Sequence, residues 1–518
     1  MGCAKNSVDS ERLAGRIISA GHEIVSDVDK AEIGIINTCG FIQDAVKENI
    51  DAILDLEQLK LENKLKHIIV TGCLVNRYEQ ELKAELPTVD LFTRAESWDD
   101  IIKLLTPKAL NKLCDRFMLE PVTPWSRYLK LSEGCNKFCT YCSIPFIRGR
   151  LRSVEIKDLV NEALKLCEGG AKEICLVAQD LMDYGKDLYN KPMLKELIEI
   201  LNKELPDGTW LRPLYMYPDE MTHEFIDFML SKDKVLRYFD MPVQHISDKI
   251  LRRMNRKTTS DKIKDIIKYV RSCDKFFTLR TTIMTGFPGE TESDFDELLE
   301  FLSEAKIDHA GAFIFSPEEG TRAAEFADQV DFDTAQERYQ AVTDLQFDIA
   351  QERGELFIDK ELEVLIEEIN IDAESAGQAS QSLELESLSS LKNFAAGSGA
   401  DNLRGDNLRR ESIGQASQSL ELESLSSLKD FVAGSGADNL RSDNLKLESL
   451  RRAKNFAGEN GGGEFEIWGR SYRDAPDVDG RICVEGLLSD RIKLLKPGYK
   501  VKIKIQECVG NDLFGKLV

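Results

Sequence analysis

The stretch Ser132-Glu-Gly-Cys-Asn-Lys-Phe-Cys-Thr-Tyr-Cys-Ser-Ile-Pro145 carries three thiols, Cys135, Cys139 and Cys142, in a C-x3-C-x2-C spacing. The segment joining them is eight residues long, so the three sulfurs cannot lie far apart. Four-coordinate zinc and ordinary iron–sulfur clusters take four protein ligands. Three ligands in one tight loop, with no fourth nearby, point to a metal site that keeps one coordination position open. A zinc loop is the other reading of the same residues.

A second set of cysteines repeats the theme over a longer range. Ala31-Glu-Ile-Gly-Ile-Ile-Asn-Thr38 is an apolar run that leads into Cys39, and His67-Ile-Ile-Val-Thr-Gly72 is another that leads into Cys73. Between them, residues 45–66 carry helix-spaced apolar positions (Ile50, Ile53, Leu54) among charges. Two buried strands would each deliver a cysteine to the edge where open α/β sheets bind ligands. Cys3 lies 36 residues before Cys39, close to the 34 that separate Cys39 from Cys73. Each thiol alone reads as a buried structural cysteine. Together, at matching positions, they read as a second open metal site. Only Met1 and Gly2 precede Cys3, so either the strand expected to lead into it is missing or the start is assigned too late, and an unpaired sheet position would weaken this domain. Cys114, Cys167, Cys175 and Cys273 share no spacing and read as ordinary thiols, and the five histidines lack metal spacing.

The elements that must position these cysteines fall into separate folding units. The chain of 518 residues is too long for one core. Residues 1–105 read as an α/β unit, and 121–356 alternate strands and helices as a parallel barrel would. Within the latter, Gly169-Gly-Ala-Lys-Glu-Ile-Cys-Leu-Val-Ala-Gln-Asp180 turns through two glycines into a strand, and Phe313-Ile-Phe-Ser-Pro317 looks like the sixth. Residues 357–518 form a small β domain of alternating strands, interrupted by a repetitive stretch at 372–463 in which the segment from Ser375 returns from Ser412. Two and a half copies fall short of a solenoid and read as a surface insertion. No run of eighteen apolar residues and no signal-peptide core exists, so no membrane span is expected and a cytoplasmic protein is the default. The formal net charge of −23 argues against nonspecific nucleic-acid binding and permits a basic partner.

With Tyr141 before its last cysteine, the loop resembles the C-x3-C-x-aromatic-C signature of the radical S-adenosylmethionine (SAM) enzymes. Gly2-Cys-Ala-Lys-Asn-Ser-Val-Asp-Ser-Glu11 resembles the G-C-P-K-N-x-V-D-S-E opening of the methylthiotransferases, with Ala4 in place of proline. Asn37-Thr-Cys-Gly-Phe-Ile42 and Thr71-Gly-Cys-Leu74 are similar to that family's other two N-terminal motifs. The resemblance implies a flavodoxin-like α/β N-terminal domain, a partial (β/α)6 radical SAM barrel and a C-terminal TRAM barrel of the OB type.

It also implies two [4Fe-4S] clusters. One, on Cys135, Cys139 and Cys142, would bind and cleave SAM to a 5′-deoxyadenosyl radical. The other, on Cys3, Cys39 and Cys73, would donate sulfur. Tyr141 would pack on the adenine side of SAM. Gly169 and Gly170 either let backbone approach SAM or cap a helix.

Several words, among them Gln244-His-Ile-Ser-Asp-Lys249, Leu214-Tyr-Met-Tyr-Pro218 and Gly469-Arg-Ser-Tyr-Arg-Asp-Ala-Pro-Asp-Val-Asp-Gly480, resemble the branch that methylthiolates the β-carbon of an aspartate in ribosomal protein uS12. The acidic residues Asp474, Asp477 and Asp479 would suit a basic protein substrate, or simply build a turn. The resemblance implies uS12 as partner, with a flavodoxin or ferredoxin as electron donor. Methylthiolation of transfer-RNA adenosine is the same-class alternative. A non-enzymatic iron–sulfur or zinc scaffold is the other, and metal analysis separates it.

Overall fold

The computed structural model describes residues 2–106, 116–117, 124–371, 464–487, 492 and 494–518. Cys114 and the repeat insertion at 372–463 lie outside the described residues. Compactness divides the chain into two units, one of Met1–Glu368, Ile467–Val484 and Lys496–Val518, the other of Ile369–Glu466 and Glu485–Leu495. Within the second, Asn370 donates to Glu466 at 3.5 Å.

The N-terminal part is a three-stranded parallel sheet, β1 (Ile33–Thr38), β2 (His67–Gly72) and β3 (Leu91–Arg94), in that order. Helix α1 (Ala4–Ser19) buries Val8, Leu13 and Ile17 at helical spacing; Leu13 and Ile17 pack with Ile69 of β2 and with Ile101 and Ile102 of α4 (Asp99–Leu105). On the other side, α2 (Gln43–Leu61) and α3 (Cys73–Glu85) pack Ile53, Leu74 and Leu82 against Ile68 and Val70. Alternation along β2 thus feeds two cores, one on each face of the sheet.

Six parallel strands follow: β4 (Ser126–Lys130), then after the short hairpin β5 (Ser132–Glu133) and β6 (Arg152–Ser153), β7 (Glu173–Val177), β8 (Trp210–Pro213), β9 (Tyr238–Asp240), β10 (Thr278–Thr285) and β11 (His309–Ile314). They pair as β4-β7-β8 and β9-β10-β11. Backbone bonds from Leu211 N to Lys234 O (2.7 Å) and from Met216 N to Asp240 O (2.9 Å) join the two halves. The order is that of a partial (β/α)6 barrel, and the helices around it bury Leu159, Leu197, Ile226, Ile266, Leu298 and Val342 in one continuous core.

The C-terminal strands β12 (Glu361–Ile371), β13 (Glu464–Arg470), β14 (Ile482–Leu487), β15 (Lys500–Val509) and β16 (Asp512–Leu517) close into a five-stranded barrel, in the order β12-β13-β14-β16-β15. The stretch from Arg470, the last residue of β13, to β14 does not stay on that barrel's surface. It enters the six-stranded barrel from the N-terminal ends of its strands and touches each of them. Arg470 bonds Ser126 of β4 and pairs with Glu173 of β7 (2.9 Å). Arg212 of β8 donates to Tyr472 O (2.9 Å) and Ser471 O (3.2 Å). Tyr238 of β9 and Arg280 of β10 hold Asp479 at 2.6 and 3.1 Å, and His309 of β11 lies 3.0 Å from Arg473 O.

Asp474 and Asp479 are therefore spent on internal bonds. The Asp474 residue is 1% exposed, as is the Asp479 side chain, while Asp477 accepts from Tyr128 OH at 3.0 Å. For Asp474 and Asp479 burial overturns the expectation that they attract a basic substrate, whereas Asp477 is exposed.

Glu173 is the hub of this plug. Burial opposes its charge, but Arg470 and Arg212 outweigh that and draw its carboxyl down to about 2. Removing one member of a buried ionic cluster leaves the others unpaired. Glu173→Gln is expected to cost about 3 kcal/mol or more and to lower the thermal midpoint. Because the folded pKa lies below the ordinary value of 4.5, wild type holds this contribution above about pH 4.5 and loses it as pH falls toward 2. An unchanged melting midpoint in the variant would contradict the assignment.

Candidate metal centres

The three N-terminal cysteines meet at the C-terminal edge of the small sheet. Register pairs Thr38 with Gly72 at the ends of β1 and β2, so Cys39 and Cys73, each the next residue, leave adjacent strands side by side. Gly72 has φ +109°, and a Cβ there would lie 2.5 Å from Thr38 O, so only glycine lets the strand turn into α3 at this point. Cys73 opens α3, and Cys3 occupies the cap position before α1. Asn6, fully buried in the first turn of α1, draws the set together. Its Oδ1 lies 3.8 Å from the sulfur of Cys3 and 3.9 Å from that of Cys73, and its Nδ2 donates to Thr38 O at 3.0 Å.

In the barrel, the loop from Cys135 to Cys142 closes on itself. Cys135 N donates to Gly149 O (3.1 Å) and Cys142 N to Cys139 O (3.1 Å). A Cβ on Gly134 (φ +71°) would sit 2.3 Å from Arg150 O, which makes glycine necessary where the hairpin crosses over itself. Thr140 is fastened to the next turn through Met254 O and Arg253 O, and Cys139 Sγ lies 3.4 Å from Tyr217 OH.

Without a metal, the buried thiols resist ionisation. Burial pushes Cys135 up to about 11 and Cys142 up to about 12, helped by the neighbouring thiols. Cys73 also rises to about 12 through burial, despite the opposing charge of Arg148. Cys3 is exposed and differs. Desolvation raises its pKa, but Lys5, the backbone at Asn6 and Arg148 together bring it below its ordinary value. Six soft thiols, four of which burial makes harder to ionise, suit iron–sulfur ligation. Two buried polar atoms at the strand ends beside the barrel loop, Ser143 Oγ and Gln244 Oε1, have no hydrogen-bond partner, as expected of a site that takes a polar ligand.

Electrostatics join the two triads. Arg148, six residues after Cys142, places Nε 2.9 Å from Cys73 Sγ and pairs with Asp9 (2.8 Å) and Glu133 (3.1 Å), while its other arm reaches Asn6 Oδ1. Lys130 of β4 pairs with Asp9, Glu96 and Glu133, and Arg127 with Glu11. A further tie runs from Arg77 of α3 to Gly40 O (3.0 Å) and Glu318 (2.9 Å). The charge of Lys5 lowers the pKa of Cys3 and also opposes the rise at Cys142, so a single ammonium lies within electrostatic range of both triads.

Sequence reading placed all six cysteines in two groups; in the structure Cys39 and Cys73 leave adjacent strands, Cys3 and Cys73 share Asn6, and Cys135, Cys139 and Cys142 share one closed loop. Tyr141 packs edge-on to Phe287, with ring centroids 6.5 Å apart, and its OH lies 3.4 Å from Arg256. Gly169 and Gly170 do not join the site. Gly169 caps helix Ile156–Glu168, and Gly170 (φ +102°) turns toward the start of β7, with open space where a side chain would be. They lie at the N-terminal end of the strands, about 17 Å of strand from the edge that bears the cysteine loop, so the capping reading holds and approach to SAM is overturned. Missed in the sequence were Asn6, Arg148 and Lys137. The last meets Asp180, Asp183 and Asp219 at 3.2, 3.4 and 3.7 Å. Only their position beside the cysteines could have marked them.

In metal-free reduced protein, anaerobic iodoacetamide at mildly alkaline pH should label Cys3 first and Cys73 roughly tenfold more slowly or less, because reactivity follows thiolate fraction and access. Site-resolved mass spectrometry reads the order, and Cys73 labelling ahead of Cys3 would contradict the electrostatics.

Residues 129–302 match the Radical SAM superfamily, residues 1–93 the uncharacterized protein family UPF0004, and residues 459–518 the TRAM domain. Over 382 residues the chain is 41% identical to the ribosomal protein uS12 methylthiotransferase RimO of Clostridioides difficile (strain 630), covering 71% of this chain and 85% of that protein. It is 43% identical over 386 residues to the protein of the same name from Caldicellulosiruptor saccharolyticus, covering 71% and 86%. Among solved structures, the radical SAM methyltransferase TsrM of Kitasatospora setae aligns with a TM-score of 0.46 at 12% identity, over 60% of this chain and 70% of that one. The chain belongs to the radical SAM family of ribosomal protein uS12 methylthiotransferases.

Proposed function

We propose that this chain methylthiolates ribosomal protein uS12 at the β-carbon of an aspartate side chain, using two [4Fe-4S] clusters and SAM. As a radical SAM protein it uses SAM and one four-iron cluster. The second cluster, on Cys3, Cys39 and Cys73, and an electron donor of the flavodoxin or ferredoxin kind belong to the proposal. So does a division into residues 1–105 for the sulfur-donating site, 121–356 for SAM chemistry and 357–518 for the TRAM domain. The observation that supports it most is the pairing of two thiol triads around shared charged side chains, in a chain similar to uS12 methylthiotransferases over 85% of their length.

The β-carbon C–H bond has no acidity that a side-chain base could use. When bound, SAM and the clusters supply radical hydrogen abstraction, sulfur and a methyl group, and the protein's task is placement and exclusion of water. Cys135, Cys139 and Cys142 hold one group, and Gly134 and Thr140 keep their loop in shape. Asp180, Asp183 and Asp219 surround Lys137, and Lys186 pairs with Asp183 at 2.6 Å, so three carboxylates face two ammonium groups, an excess of negative charge that suits the positively charged sulfonium of SAM. Burial lifts the Asp180 carboxyl to about 6, against the pull of Lys137. Tyr141, packed against Phe287 with its OH 3.4 Å from Arg256, belongs to the proposal as the residue on the adenine side of SAM. Arg148 donates to the Cys73 sulfur, as outer partners of metal ligands do, and so orients it. The segment 470–479 closes the chamber from below.

Two experiments test this reading. Anaerobically reconstituted protein, incubated with uS12, SAM and a reductant, should add one methylthio group to an aspartate of uS12, read by mass spectrometry; modified transfer RNA with unmodified uS12 would contradict it. Separately, Cys139→Ala should abolish SAM cleavage while keeping about half of the roughly eight irons per chain expected from two four-iron clusters. Retained SAM cleavage, or zinc without labile sulfide, would overturn the ligand assignment.

A further inference from the structure

We propose that Lys5 is the specificity-determining residue that grips the side-chain carboxylate of the target aspartate, an assignment that rests on the uS12 reading above. Lys5 lies in the first turn of α1 and is 7% exposed. Burying an ammonium costs several kcal/mol unless a counter-charge or a full set of acceptors replaces water. The other buried lysines of this region have such partners. Lys130 pairs with three carboxylates and Lys137 with three more. Lys5 has one hydrogen bond, to Ala178 O at a long 3.5 Å, and the face of Tyr215, whose ring centroid is 4.4 Å from Nζ. Glu133 acts on it only from beyond ion-pair distance and is itself committed to Lys130 and Arg148. Among the described residues, no carboxylate comes within 4.0 Å of Lys5 Nζ; the Cys3 thiolate acts on its charge, but its three donors meet a single long acceptor.

Its place in the fold says what should complete it. Ala178 follows β7 and Tyr215 follows β8, so Nζ hangs over the C-terminal mouth of the barrel. Cys3 of one triad caps the helix turn that carries Lys5, and Tyr217, two residues past Tyr215, lies 3.4 Å from Cys139 of the other. A substrate atom that is to lose hydrogen at one centre and gain sulfur at the other must sit between them. In aspartate the β-carbon carries the carboxylate directly. A charge-assisted bond from Lys5 to that carboxylate would therefore hold the reacting carbon two bonds from the gripped oxygen. An asparagine of the same shape offers no charge and leaves the ammonium unpaired, which makes the contact selective as well as positioning.

The test compares wild type with Lys5→Met and Lys5→Arg, all reconstituted with iron, on uS12 and on uS12 carrying asparagine at the target position. Wild type should bind the asparagine form at least tenfold more weakly than the aspartate form, an arm that needs no enzyme variant. Lys5→Met should retain the iron content of wild type, lose roughly a hundredfold in kcat/KM on aspartate uS12, and bind both forms alike. Lys5→Arg should recover part of the preference. Equal binding of the two forms by wild type, or an unchanged preference in Lys5→Met, overturns the assignment. SAM binding weakened in Lys5→Met, measured by equilibrium dialysis without uS12, also overturns it, by putting the ammonium on the cofactor. Wild type that leaves uS12 unmodified refutes the functional reading itself, an outcome separate from any behaviour of the variants.

Discussion

Arg148 stands between two halves of the chemistry. Its backbone belongs to the cysteine loop of the barrel, whereas its guanidinium rests on the sulfur of Cys73 and on Asn6 and Asp9 of the N-terminal domain. One side chain thus constrains where the second triad lies with respect to the first. The buried charges around it belong to the same constraint, since Asp9 and Glu133 each serve both Arg148 and Lys130. Interdomain surfaces within a chain usually tolerate movement. Here a slip would leave several buried charges unpaired at once, and that penalty fixes the geometry better than apolar contact could. A reaction that hands a carbon from one centre to another needs such a fixed distance.

The barrel is sealed from below by the same kind of interaction. An open set of six strands leaves inward-facing polar residues at its N-terminal ends, and the stretch from the end of β13 to β14 satisfies them with Arg470, Asp479 and its own carbonyl groups. The C-terminal barrel is thereby tied to the catalytic barrel through its buried polar loop. At the opposite mouth lie the cysteine loop, Lys5 and Tyr215.

Much of this was legible in the sequence. The tight C-x3-C-x2-C loop admits little besides a metal site, and the apolar runs before Cys39 and Cys73 mark strand ends by their own composition. The alternation of strands and helices announced a parallel barrel, and the structure follows it. Failures came where a residue's role depends on what lies far away in the chain. Gly169 and Gly170 looked like a cofactor loop, yet glycines that end a helix have the same local signature, and only register places them at the wrong end of β7. Asp474 and Asp479 looked like surface charge because nothing local reveals that Arg280, Tyr238 and His309 await them inside the barrel. Arg148 and Lys5 were invisible as partners of the triads for the same reason. Their contacts span 75 and 173 residues.

The central claim is that two separate sulfur triads face one chamber and hold iron there together. Anaerobic crystals of the reconstituted protein, with diffraction measured on either side of the iron absorption edge, would locate the metal directly. The account predicts two compact groups of iron, one against Cys3, Cys39 and Cys73 and one against Cys135, Cys139 and Cys142, with the Arg148 guanidinium on the first and the Lys5 ammonium between them. A single iron group, or two groups separated by the body of the barrel, would contradict it.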